Sequence, residues 1–135
     1  MLTKKTKYGL KAMTYLATHQ IGQPILISVI AKEEKIPVKF LEGILLSLKK
    51  SGLLESKKGK GGGYFLNKDP KTITVATIIR TLEGPIALLP CVSLNYYQKC
   101  DDCVDEEFCS LNRVMIQVRD QTLNVLENQY LSDLI

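Results

Sequence analysis

At Gly52 the apolar residues change their period, and that change constrains the fold more than any other feature of the chain. Before it, VKFLEGILLSLKKSG sets Phe40, Leu41, Ile44, Leu45 and Leu48 at threes and fours, one broad face of a helix. Lys49 and Lys50 complement the negative end of that helix, and Gly52 stands where a left-handed cap is expected. After it, Leu53 to Ser56 and Tyr64 to Leu66 are short extended runs on either side of KKGKGGG. Two such runs around a Gly and Lys loop predict a small hairpin. The successive glycines Gly61, Gly62 and Gly63 offer no side chain to pack, so the loop serves through its backbone and its lysines.

The flanking segments are helical. Tyr8, Ala12 and Leu16, with Leu10, Met13 and Ala17, mark a helix from Thr3 to about Thr18, its lysines gathered at the start and Gly22-Gln23-Pro24 ending it. Ser28 is expected to cap a short second helix that Lys35, Ile36 and Pro37 break, and Pro37 suits the first turn of the third. Thr72 or Thr74 caps a fourth helix with Val75, Ile78, Ile79 and Leu82 inward, stopped by Gly84-Pro85. A connection of about twenty residues follows, long enough that it is expected to be functional, disordered or stapled. The last helix begins near Phe108 and reaches about Asn128, with Leu111, Met115, Val118, Thr122 and Val125 in a narrow seam. A second copy of the same helix is the simplest partner for such a seam. The chain thus divides into a head at 1–84, a cysteine-bearing loop at 85–107 and a dimerisation helix with its tail at 108–135.

Charge follows the same division. Through residue 90 there are 15 Lys and Arg against 6 Asp and Glu, and beyond it 3 against 8, so a whole-chain net charge of +4 hides a basic front and an acidic back. A basic front argues for a polyanion partner. No apolar stretch approaches the length of a membrane span, and the basic first residues precede no signal-type apolar run, so a cytoplasmic protein without a membrane partner is expected. A single histidine and no nucleophile paired with a base argue against an enzyme.

Three helices, the second and third joined by a tight Ile-Pro turn, followed by a basic hairpin, spell a winged helix-turn-helix: mainly α, with a small β-hairpin wing. A helix matches the major groove in width, and a basic hairpin loop reaches the neighbouring phosphates or minor groove. Lys39, Glu42 and Gly43 are the third-helix residues that the apolar face leaves outside; Lys58 and Lys60 belong to the wing, and Ser28 offers a hydroxyl or N–H to a phosphate. A nucleotide cradle would need G-x-x-x-x-G-K-[ST] leading into a helix, whereas GKGGGYF leads into a strand.

All four cysteines lie between Cys91 and Cys109, a cluster that reads as metal-binding or redox-active before it reads as a disulfide framework. A tetrathiolate zinc site usually comes as two C-x2-C knuckles, and only Cys100-x2-Cys103 is present. An iron–sulfur cluster tolerates irregular spacing better, because its ligands reach different corners of a larger core. Zinc, a cluster, or no metal with thiols free or disulfide-linked all remain open. A small dithiol enzyme built on Cys100 and Cys103 is disfavoured, since DDCVDEE is an acidic loop without a preceding strand.

From Ile36 to Leu66 the chain closely resembles the Rrf2 family of bacterial transcription regulators, which join a winged helix to a cysteine-bearing loop and a long dimerisation helix. The family pattern of Ile-Ser-x-x-Tyr-Leu-Glu, Leu-x-x-x-Gly-Leu, Arg-Gly-x-x-Gly-Gly-Tyr and Ala/Thr-x-Glu-Gly is met here as Ile36-Pro37 with Phe40-Leu41-Glu42, Leu48 with Gly52-Leu53, Lys58-Gly59 with Gly62-Gly63-Tyr64, and Thr81-Leu82-Glu83-Gly84. Pro37 replaces a serine cap, and Lys58 replaces an arginine that enters the minor groove, which loosens any inference about a shared operator. One branch of the family holds an iron–sulfur cluster by Cys-x5-Cys-x5-Cys and a histidine three positions on. Here Cys103-x5-Cys109 keeps the last interval, but Asn112 stands at the histidine position and Tyr97 at that of the first cysteine. The resemblance therefore implies Cys91, Cys103 and Cys109 as ligands with Cys100 as alternate, the fourth ligand unassigned, and [2Fe-2S] and [4Fe-4S] both open. His19, at a helix end, is expected to be a surface cap.

What the resemblance implies is a homodimeric regulator of double-stranded DNA with a near-palindromic operator, sensing iron–sulfur status, nitric oxide or redox state through the loop. Its seam would be Leu111, Met115, Val118 and Val125. The alternatives are a cluster-free regulator of the same type answering a partner protein or thiol chemistry, and a non-catalytic adaptor that binds a metal or a partner.

Overall fold

The apolar stripe of the first helix, Lys4–Thr18 (α1), buries Ala12, Met13, Leu16 and Ala17 in the computed structural model, which describes residues 2–19 and 22–135. Helices Ile27–Glu34 (α2), Val38–Lys50 (α3) and Val75–Leu82 (α4) pack with α1 around one core. Leu41, Ile44, Leu45 and Leu48 carry the α3 share of it, each contributing about 1.5–3 kcal/mol by burial. Strands Glu55–Lys57 (β1) and Gly63–Phe65 (β2) form an antiparallel hairpin, and Ser110–Leu126 is the last helix (α5). A mainly helical chain with one hairpin is the expected winged helix-turn-helix.

Backbone geometry at two points aims the wing. Gly52, at φ +84°, donates its N–H to the Lys49 carbonyl while Leu53 donates to the Leu48 carbonyl, both at 3.0 Å. This reciprocal pair satisfies the orphan carbonyls at the end of α3 and turns the chain into β1 with Leu53 and Leu54 buried. On the other strand, Tyr64 exchanges hydrogen bonds of 2.8 and 2.9 Å with Ile25, so the segment before α2 is a third, one-residue strand of the wing. Gly63, at φ +140°, makes that approach possible: a Cβ there would collide with the Ile25 carbonyl.

The same bridge corrects the expected start of α2. Ile25 is extended by its pairing with Tyr64 and Leu26 stays extended at ψ 140°, so α2 begins at Ile27 and Ser28 is an exposed residue of its first turn, with no side-chain cap. Pro37 likewise lies outside α3, as its N-cap, because its ψ of 130° is extended. Phe40 is 40% exposed and is no part of the buried face; its ring stands edge-on to Tyr8 at 5.5 Å. Thr74 is the cap of α4, accepting the Thr77 N–H at 3.1 Å.

The carboxyl end rejoins the head. Val75 donates to the Gln129 carbonyl and Leu131 to the Ile73 carbonyl, both at 2.8 Å, and Leu131 is fully buried in the core of the four helices. Between the loop and this anchor, α5 turns Asn112, Ile116, Arg119, Leu123 and Leu126 toward its own chain, buried or half-buried. The stripe one residue earlier, Leu111, Val118 and Val125, is 54%, 37% and 57% exposed, and Met115 between them is half-buried. No helix among the described residues is long and apolar enough to cross a membrane.

Two glycine substitutions should move stability in opposite directions. Gly43→Ala, in mid-helix with open space around the new methyl, should stabilise by about 1 kcal/mol. Gly63→Ala should destabilise by about 1–3 kcal/mol through strain and the lost Ile25 approach. Urea unfolding of the two variants reads both, and equal midpoints would refute the role given to the Ile25–Tyr64 bridge.

Candidate nucleic-acid interface and cysteine loop

Helix α3 buries one face, so its other face is decided by the same periodicity. Lys39, Glu42 and Gly43 lie exposed there. Nothing lies within 4 Å of the position a Gly43 side chain would take, so no packing inside the chain calls for glycine in mid-helix. At the wing tip the Gly62 N–H meets the Gly59 carbonyl at 3.0 Å, which folds Gly59 to Gly62 into a turn, and Lys58 and Lys60 are exposed. The ion pairs among the described residues are Lys11–Glu34, Arg80–Glu127 and Arg119–Asp120. None of them uses Lys39, Lys58 or Lys60, so these charges face outward. Ser28 is exposed in the first turn of α2, where helical N–H groups lack intrahelical partners.

The cysteine loop is held against the start of α5. Arg119 donates from its guanidinium to the Val92 carbonyl at 3.0 Å, and Val92 and Ser93 are buried. Cys109 is the N-cap of α5, its Sγ accepting the Asn112 N–H at 3.4 Å. The Asn112 side-chain amide donates to Cys91 Sγ, also at 3.4 Å. Asn112 thus joins two cysteines that are 18 positions apart in sequence and sit beside each other in space. The neighbouring Cys91 thiol first, then burial and the charges of Asp102 and Cys103, push the Cys100 thiol up from its usual range. Cys103 is raised by burial, then by Glu106 and Cys109.

All four cysteines are half-buried free thiols in one neighbourhood. Among the described residues no three Cys, His, Asp or Glu side chains converge to hold a metal. Carboxylates beside thiols oppose a collapsed thiolate set unless a cation offsets their charge. His19 stands elsewhere, at the end of α1, its Nδ1 2.8 Å from the Tyr15 carbonyl and its ring stacked on Tyr15. The bridging role of Asn112 and the Tyr97–Glu106 contact below were not legible beforehand. The one signal for Asn112 was its spacing, since a residue three beyond an N-cap offers its N–H to the cap side chain.

The chain matches the family model of Rrf2, described as an iron-dependent transcriptional regulator, over residues 2–135. It is similar to the HTH-type transcriptional regulator of Rhodobacter capsulatus named rrf2-like, with 40% identity covering 100% of this chain and 92% of the relative. The structure of CymR, the global cysteine regulator of B. subtilis, superposes with a TM-score of 0.80 at 30% identity, covering 99% of this chain and 95% of that one. IscR of T. potens follows with a TM-score of 0.77 at 30% identity, covering 99% and 85%.

Tyr97 yields a pH test of the loop. Its hydroxyl donates to Glu106 Oε1 at 2.5 Å, and that bond, with minor help from burial and nearby thiols, pushes the phenol up from 10.0 to about 12. A raised pKa favours the neutral phenol, so the contact contributes fully below pH 10.0 and is lost as pH rises through about 12. Ultraviolet titration should contain a tyrosinate component near 12 that Tyr97→Phe removes. Identical titrations of parent and variant, less one ordinary tyrosine, would refute the contact.

Proposed function

The chain belongs to the Rrf2 family of transcriptional regulators, and from that premise we propose that it acts as a homodimer on double-stranded DNA and senses iron–sulfur, nitric oxide or redox status through its cysteine loop. The observation that carries the DNA face is the outward α3 surface of Lys39, Glu42 and Gly43 beside a wing tip whose Lys58 and Lys60 enter no ion pair among the described residues. Lysines at the tip would contact phosphates or the minor groove, α3 would read base edges, and the first turn of α2 with Ser28 would hold a phosphate. The dimer reading is supported by the exposed stripe of Leu111, Val118 and Val125 with half-buried Met115, and by a cavity of about 290 Å³ whose lining includes Ile79, Ile86, Val118 and Thr122 beside it. Two heads on one seam call for a near-palindromic operator with half-sites about 34–36 Å apart.

The thiols fit an iron–sulfur cluster by donor chemistry: soft sulfurs selected from one loop, at the start of the helix that joins the heads. Cys91, Cys103 and Cys109 would hold it, with Cys100 as alternate. When bound, the cluster supplies a cationic inorganic core that responds to oxidant, nitric oxide and iron supply. Asn112 orients Cys91 and Cys109, and Arg119 fastens the loop to α5, so a change at the sulfurs bears on the angle between the heads. The likeness to CymR favours a second reading in which a cluster-free regulator responds through its thiols.

Replacing Lys58 and Lys60 together by alanine should weaken DNA binding and flatten the slope of log affinity against log salt by up to about two units. An unchanged slope would take the wing off the DNA.

The sensor reading is decided by DNA titration of anaerobic holo-protein, apo-protein and Cys109→Ala, with iron and sulfide measured on each preparation. Holo-protein should differ from the other two in affinity or protected sequence by about fivefold or more, the coupling a real switch needs. Equal binding across all three would leave a DNA-binding protein without this sensor.

A further inference from the structure

We propose that Leu46 is a specificity-determining residue of α3, packing on the 5-methyl group of a thymine in the major groove of the operator. This deepens the DNA reading above and rests on it. Leu41, Ile44, Leu45 and Leu48 hold one side of α3 in the core, while Lys39, Gly43, Leu46 and Lys50 follow one another at intervals of four, three and four down the opposite side. Leu46 is a large apolar residue on that outward line, and it is 44% exposed. Gly43, one turn earlier, adds no side chain, and nothing lies within 4 Å of where one would stand, so the face is open on that side of Leu46.

A single exposed leucine is common on protein surfaces and means nothing by itself. What distinguishes Leu46 is the company it keeps. Lys39 and Lys50 on the same line, with Lys49 beside them, are exposed, and none of the three enters an ion pair among the described residues. Glu42 is the one carboxylate of the helix. A face with cations toward both ends and an alkyl group between them matches a groove walled by phosphates and floored by base edges.

The chemistry of the side chain selects the base. Leucine carries neither donor nor acceptor, and the thymine methyl is the apolar group that the major groove presents. Against cytosine or guanine the same side chain would strip water from N4–H2, or from O6 and N7, and return no hydrogen bond. Leu46 therefore discriminates by what it excludes as well as by what it touches. Lysines that hold phosphates contribute affinity without regard to sequence, whereas the methyl contact neutralises no charge, so the two contributions separate in a salt titration.

The test starts with the full chain selecting duplexes from a random library at low salt. A selected duplex is then remade with deoxyuridine in place of one thymine at a time, which removes the methyl and leaves the pairing edge intact, and each is titrated with the parent, Leu46→Ala and Leu46→Met. At one thymine or more the parent should lose about fourfold in affinity for each methyl removed, the contribution of one buried methyl. Leu46→Met, which keeps a long apolar side chain, should retain that dependence. Leu46→Ala should bind thymine and deoxyuridine duplexes alike, with the parent's slope of log affinity against log salt; should it fail to fold, Leu46→Gln takes its place. A parent indifferent to deoxyuridine at every position overturns the methyl contact alone, as does a Leu46→Ala protein that keeps the parent's dependence. A parent that retains no duplex overturns the DNA reading and the methyl contact together, and leaves an acidic protein as the partner that this face fits.

Discussion

Two backbone hydrogen bonds between Ile25 and Tyr64 tie the wing to the entrance of α2, and the geometry of the candidate DNA face depends on them. A two-stranded hairpin is marginal in water on its own. Here it gains a third strand segment, and Leu66 behind it reaches the core. The bridge also sets where α2 starts. Lys35 accepts a left-handed conformation at φ 55°, unfavourable for a side chain by about 1–2 kcal/mol, because the Ile36 that follows is buried in the core.

Helix α4 is the second organising element because both of its sides are used. Ile78 and Leu82 belong to the core of the head, while Ile79 lines the cavity shared with α5. The returning tail pairs on either side of Thr74, the α4 cap, and buries Leu131 among the helices of the head. The α5 helix is thereby fastened at its carboxyl end by Leu131 and through its middle by Leu123 and Arg119, while its amino end carries Cys109 and the loop. In the proposed dimer, chemistry at the loop would act on a helix whose other end is rooted in the head, and a local change at sulfur would become a change in the placement of two heads.

Much of this was legible in local pattern. The switch of apolar period at Gly52 predicts the helix, the hairpin and the glycine cap, since side-chain direction follows backbone period and a left-handed turn favours glycine at that position. The exposure of Lys39, Glu42 and Gly43 follows from the burial of Leu41, Ile44, Leu45 and Leu48, because a helix with one face in a core leaves the opposite one outside. Phe40 departs from the pattern for a related reason: spacing places it beside the apolar face but does not say how far the neighbouring helix extends to cover it.

The sequence by itself determined the elements, the motif that joins them, the division of charge and the family resemblance, because each is written in neighbours a few residues apart. Only the tertiary structure decided the start of α2, the return of Leu131 to the core, and the meeting of Cys91 with Asn112 and Cys109. These depend on contacts between segments distant in sequence. Ser28 is a good cap by type, yet it lost that place to a strand pairing with a residue 36 positions away. Cysteine spacing likewise lists donors without pairing them; the first turn of α5, through Asn112, brings Cys91 and Cys109 together.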